Sequence, residues 1–187
     1  QVSPSEPAPW GSWDFSKEVR YTQLHFTGAE LSKFQAAALD TGSRGDISRL
    51  DALLAHLWIA ITRARGQANS SRPIYMDLSL GTRPRVSPAL PDTFIGSPLF
   101  LTHVGGTASS ICQEILGETA SRIRETMKRF TADAVGAMLH DAAHEVSPQR
   151  LWQGFLGPEH TLVTSWLRLQ VYEVDFVGGD KPRYVHA

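Results

Sequence analysis

Seven histidines, one cysteine and a scatter of arginines are the side chains of this 187-residue chain best suited to chemistry. His140 and His144 stand four apart, the spacing that places two imidazoles on one face of a helix, and Glu145 is beside them. Such a group can begin a zinc site. A tetrahedral ion asks for further ligands, however, and no Cys or His cluster is spaced to supply them, so a plain solvated helix face is the better account of the pair. His56 falls in the polar strip of an otherwise apolar stretch, where an imidazole serves either as a base or as a packed interhelical residue. Cys112 lies between Ile111 and Ile115, the setting of a small buried hydrophobe rather than a reactive thiol, and being single it forms no internal disulfide. The chain has no glycine-rich phosphate loop, nucleophile-elbow serine or paired Cys-x-x-Cys. These residues alone do not assemble a complete catalytic set.

The elements that must position such residues centre on positions 48–65. There Leu50, Leu53, Leu54, Leu57, Trp58 and Ile61 recur three and four apart, which predicts a core helix. Ala52, Ala55, Ile59 and Ala60 let a second layer press closely on its other side. The polar strip is then narrow, around Arg49, His56 and Arg63. Ser48 with Asp51 reads as a capping box, and Gly66 can take the left-handed exit.

Residues 1–14, rich in Pro, Ser and Gly, read as a linker in which Trp10 and Trp13 lie along a protein surface. Alternation over 19–26 predicts a strand, and Thr27 caps a helix over 28–40 with Leu31, Phe34, Ala38 and Leu39 inward. Strands are expected over 73–80, with Pro73 at an edge or a start, and over 98–104. An ordered loop, 82–97, joins them, and Gly105–Gly106 turns the chain. Helices are expected over 107–129 and 131–145, then a strand over 161–174 ending in the turn 175–179. This order argues α/β or α+β, one mixed sheet covered by helices.

With 18 Lys and Arg against 19 Asp and Glu, the surface carries no field to gather nucleic acid or anionic membrane. No apolar run approaches the ~20 residues of a membrane span and no signal peptide is recognisable, so the expected setting is cytoplasmic. A start at Gln1 without an initiator methionine, followed by a linker-like stretch, suggests a piece of a longer polypeptide.

Three separated segments carry a resemblance: the 50–65 helix, the loop Gly81-Thr-Arg-Pro-Arg-Val-Ser-Pro-Ala-Leu-Pro-Asp-Thr-Phe-Ile-Gly-Ser97, and Thr164-Ser-Trp through Gly179 with Lys181-Pro182. In this order they resemble the carboxy-terminal half of the BAHD acyl-CoA-dependent acyltransferases, over roughly residues 14–187. The resemblance implies a chloramphenicol acetyltransferase-like domain over 15–187, with 1–14 the remnant of a crossover. The partner it implies is an amino-terminal half of the same enzyme, with a channel between the halves for acyl-CoA and a small-molecule acceptor. Acyl-CoA is then a cosubstrate and no cofactor is held covalently.

In that family the base is the histidine of a His-x-x-x-Asp motif in the first half, which deprotonates an acceptor hydroxyl or amine for attack on the thioester. None of this chain's histidines has Asp four residues on. The implied chain is therefore catalytically silent alone and has no catalytic residue of its own; the alternative is a non-catalytic interaction module of the same fold. By position, Thr164 and Trp166 match the acceptor-side Thr-Ser-Trp segment. Arg83 and Arg85 match an Arg-x-Arg that is either CoA-side charge or a loop anchor. Asp175, Phe176, Gly178 and Gly179 match the structural Asp-Phe-Gly-Trp-Gly turn, although Val177 replaces a glycine, the tryptophan is absent and one residue is added. Those departures suggest a fungal or other non-plant branch.

Overall fold

Ile74, Met76, Leu78 and Leu80 alternate with more polar neighbours. In the structure, a computed structural model, they form the inner face of β1 (Pro73–Gly81), the middle strand of a three-stranded sheet. The residues described are 16, 18, 20–42, 45–145, 157, 159–167, 169–175 and 178–185, so the expected linker with Trp10 and Trp13 lies outside them. β2 (Leu99–Thr107) pairs antiparallel with β1, from Pro73 opposite Thr107 to Gly81 opposite Leu99. β3 (His160–Val163) pairs parallel on the other side, from Tyr75 opposite His160 to Leu78 opposite Val163. Pro73 is a strand start, not an edge, and needs no ladder donor there.

α2 (Arg49–Ala64) covers the inner face of β1 in one apolar cluster. Its start is the expected capping box: Ser48 N–H donates to Asp51 Oδ2 (2.8 Å) and Asp51 N–H to Ser48 Oγ (3.2 Å). Gly66 leaves at φ +69°. The small side is the deeper one. Ala52, Ala55 and Ile59 are buried with Leu54 and Trp58, whereas Leu50, Leu53, Leu57 and Ile61 are half-covered and Ala60 is exposed. The leucine stripe thus faces a groove at one end of the core. α1 (Gly28–Asp40) packs on α2 through Phe34, whose ring lies 4.4 Å from that of His56, so His56 is an interhelical packing residue. Leu39, expected inward, is exposed, because one residue is about 100° around the helix from the fully buried Ala38.

Four further expectations change. Residues 107–129 form two helices, α3 (Ala108–Gln113) and α4 (Leu116–Lys128), with Glu114 and Ile115 extended between them. Ile111 and Ile123 are both buried in the core, yet on one straight helix they would point about 120° apart. The break brings both inward. The Glu114 side chain secures it by accepting from Ser110 Oγ and Thr119 Oγ1 (2.9 Å each) and from Arg122.

Gly105 and Gly106 lie within β2 instead of turning the chain. A Cβ on Gly105 would come within 3.2 Å of the Tyr75 ring, and one on Gly106 within 2.8 Å of Ile111, so both serve close approach. Residues 20–26 form no strand among the described residues, and Tyr21 and Leu24 are exposed, since that stretch has no sheet neighbour to cover one face. The expected strand 161–174 is a strand only to Val163; beyond the Leu78–Val163 rung the chain leaves β1, reaching the short 3-10 turn Val171–Glu173. α5 (Ala132–Ala143) is capped by Thr131, whose hydroxyl accepts from Ala134 N–H, and buries Val135.

Asp51 also accepts from Arg124 of α4, so one buried carboxylate caps the start of α2 and ties it to α4. Asp51→Ala is expected to cost on the order of 3 kcal/mol in urea unfolding, since it removes a cap and strands a half-buried guanidinium. A double-mutant cycle with Arg124→Ala should give a coupling of about 1 kcal/mol or more; strictly additive losses would leave the carboxylate as a cap alone. At α1, the Thr27 backbone N–H and hydroxyl each donate to Glu30 at 2.7 Å and hold its carboxyl below the ordinary glutamate range. The folded state therefore binds this proton less readily than the unfolded state. Its contribution is present at neutral pH and is lost as acid protonates Glu30. Glu30→Gln should flatten the acid limb of the stability curve, and an unchanged limb would count against the contact.

Candidate functional site

Past Val163 the chain runs opposite the first turns of α2, and the space between them is an open, mainly apolar groove of about 670 Å³. Leu50, Leu53 and Leu54 form one wall; Thr164, Trp166 and Tyr172 stand in the other. Two expected acceptor-side residues, Thr164 and Trp166, are thus brought together with the exposed end of the core helix. Trp166 is 39 % exposed, so its indole offers a face to the groove instead of being sealed in the core. The wall then turns tightly: Leu169 N–H donates to Trp166 O (3.0 Å), and Gln170 adopts φ +48°, a left-handed conformation unusual for a residue with a Cβ. Glu173, at the groove's edge, is ion-paired with Lys181.

The arginines sit elsewhere. Arg83 Nη2 donates to the carbonyls of Phe94 and Gly96 (3.1 Å each), closing the loop that follows β1. Arg85 Nη1 donates to Met127 O (3.3 Å) and Phe130 O (3.0 Å), at the end of α4 where carbonyls lack helical partners. Both make the carbonyl contacts that a loop anchor makes. Their use as CoA-side charge would need the contacts they already make to be shared. In the 175–179 turn, Gly178 (φ +62°) and Gly179 (φ +116°) are left-handed, which explains two glycines there even with the altered motif; Asp175 is exposed, and Phe176 lies outside the described residues.

The imidazoles of His140 and His144 lie 4.4 Å apart on the exposed end of α5, and His144 Nδ1 donates to His140 O at 2.7 Å. No group of three or more His, Cys, Asp or Glu is gathered to hold a metal ion among the described residues. Cys112 is buried, as its neighbours suggested.

A further pair, Asp77 and His160, has no local mark in the sequence. His160 Nδ1 donates to Asp77 Oδ2 at 2.8 Å, and the Tyr75 ring stacks on the imidazole with centroids 4.8 Å apart. The partners are 83 residues apart and meet only through the parallel register of β1 and β3, a pairing no local pattern announces.

Comparison with known proteins decides the family. The sequence pattern of the transferase family matches residues 13–187. The chain belongs to the BAHD transferases. The BAHD chain is 31 % identical over 172 residues to acyltransferase AFT15-1 of Alternaria alternata, covering 89 % of itself and 32 % of that protein. It is 27 % identical over 169 residues to agmatine coumaroyltransferase-1 of Hordeum vulgare, covering 87 % of itself and 38 % of the relative. It therefore spans about a third of the length of these curated relatives. Among solved structures, F. sporotrichioides TRI101 complexed with coenzyme A and T-2 superposes with a TM-score of 0.67 at 25 % identity, over 82 % of this chain and 37 % of that one. Vinorine synthase shares the fold at a TM-score of 0.56 and 21 % identity, over 83 % of this chain and 35 % of that one. The expected chloramphenicol acetyltransferase-like α/β architecture is the one this BAHD chain has.

If Arg85 is an anchor, Arg85→Met should lower stability by about 1–2 kcal/mol by removing the guanidinium donor shared by the Met127 and Phe130 carbonyls. Limited proteolysis should then cut faster within 82–97; unchanged cutting and melting would free Arg85 for a ligand.

Proposed function

We propose that this chain is the carboxy-terminal half of an acyl-CoA-dependent acyltransferase that moves an acyl group from a CoA thioester to a hydroxyl or amine of a small molecule. Residues 15–187 form its domain and 1–14 the end of a crossover. The observation that carries the reading is the groove, where Thr164 and Trp166, the acceptor-side pair by family position, line an open apolar space. Support for the donor comes from the TRI101 structure complexed with coenzyme A, and for a small-molecule acceptor from the T-2 and deoxynivalenol complexes of such proteins.

The chemistry assigns this half a binding task. A base removes the acceptor's proton, the freed oxygen or nitrogen attacks the thioester carbon, and the tetrahedral oxyanion collapses to expel the CoA thiolate, which takes a proton in turn. The base is the histidine of the His-x-x-x-Asp motif, which this sequence lacks. Thr164 and Trp166 hold the acceptor in reach of that base, Trp166 by ring contact and Thr164 by its hydroxyl. A chain without the base orients but does not deprotonate. No helix among the described residues is long and apolar enough to cross a membrane; a cytoplasmic setting is part of the proposal.

The test supplies the missing part. The chain alone, given acetyl-CoA and a panel of alcohols and amines, should release CoA at the background rate. Adding a polypeptide encoded upstream of Gln1 that carries His-x-x-x-Asp should raise acyl transfer at least 100-fold. In that reconstituted enzyme Trp166→Ala should raise the acceptor KM about tenfold with a smaller effect on kcat. Turnover by the chain alone would overturn the silent half, and silence of the reconstituted pair would favour the interaction module.

A further inference from the structure

We propose that Asp77 and His160 are positioning residues, a side-chain clamp that fixes where the acceptor wall of the groove begins. The proposal rests on the acyltransferase reading only for what that wall contacts. β3 has four residues and, among the described residues, a single neighbour strand, β1, with the register ending at the Leu78–Val163 rung. So short an edge strand is weakly held by backbone pairing alone. Yet it is the last fixed point before Thr164 and Trp166, which have no ladder of their own.

The side chains supply what the ladder lacks, and they are concentrated at the start of β3. His160 donates through Nδ1 to Asp77, whose side chain is 1 % exposed against 10 % for the imidazole, so the contact is dry and the carboxylate depends on it. Tyr75 covers the imidazole as a near-parallel plate tilted by 25°, and His103 meets the same tyrosine ring edge-on at 5.4 Å. Immediately before it, Glu159 pairs with Arg72 at 2.8 Å and its carbonyl accepts from Tyr75 N–H at 2.9 Å. Immediately after it, Thr161 Oγ1 accepts from Arg65 at the end of α2, 3.3 Å away. The strand is thus gripped from both sheet faces within three residues. A carboxylate only accepts, so the shared proton belongs to Nδ1, and it is Nδ1 that the clamp needs.

That assignment makes the test specific. Asparagine at 160 places an amide N–H near the position of Nδ1, glutamine near that of Nε2, and leucine removes both. Hydrogen exchange of the chain should show residues 161–167 exchanging at least tenfold faster in His160→Leu and His160→Gln, with His160→Asn close to wild type and the β1–β2 amides protected throughout. In the reconstituted enzyme His160→Leu should raise the acceptor KM about tenfold with kcat within twofold, and His160→Asn should restore it. Where His160→Leu does not fold, Asp77→Ala with His160→Gln gives the same reading.

Unchanged exchange over 161–167 in the leucine or glutamine variants would overturn the clamp. So would a fall in kcat that glutamine rescues and asparagine does not, because that pattern assigns the work to Nε2. Accelerated exchange together with a reconstituted pair that never transfers an acyl group would sustain the clamp and sink the acyltransferase reading.

Discussion

The burial of α2 is the constraint the rest of the structure answers to: α1 and α4 pack against it, and its apolar residues join the inner face of β1 in one cluster. Ala52 and Ala55 are fully buried, and their small side chains let neighbouring elements press closely on the helix. Leu54 and Trp58 fill the space beside them. Once α2 is placed this way, its leucine stripe is left largely half-covered. It turns partly toward α1 and partly toward the strand that leaves β3, and the groove is the gap left between them. The packing of the core and the opening of the candidate site therefore share one cause.

Much of this was legible because the signals were local. Thr27 as a cap and Ser48 with Asp51 as a capping box announce two helix starts, and the structure closes both, adding Glu30 as the partner of Thr27. The alternation from Ile74 to Leu80 needs only a sheet to be right. What misled was periodicity that outlived its element. Apolar spacing runs unbroken through Glu114 although the chain bends there, because both Ile111 and Ile123 must reach one core. Strand-forming residues continue from Thr161 to Val174 although β1 supports only four rungs. Tyr21 to Phe26 alternates without a neighbour to pair with among the described residues.

The site was legible in a different way. Nothing in the types of Thr164 and Trp166 marks them as groove residues; the order of three distant segments pointed to the family, and the family pointed to them. Arg83 and Arg85 were open between ligand charge and loop anchor, and their carbonyl contacts supply a physical reason for the second. Asp77 and His160 escaped notice because their meeting depends on sheet order and on parallel register. Two residues so far apart in sequence become neighbours only after the chain has crossed the helical layer and returned.

Cys112 gives the groove an experimental convenience. It is the only thiol in the sequence and is 6 % exposed, with Arg63 reaching over to its backbone carbonyl through Nε at 3.2 Å. A shielded thiol reacts slowly with ordinary alkylating reagents. A cysteine engineered at the rim, for instance in place of exposed Leu167, would thus be the site that takes up a fluorophore or spin label, without first stripping a native thiol from the fold. The wall could then be followed directly as it meets ligand or partner.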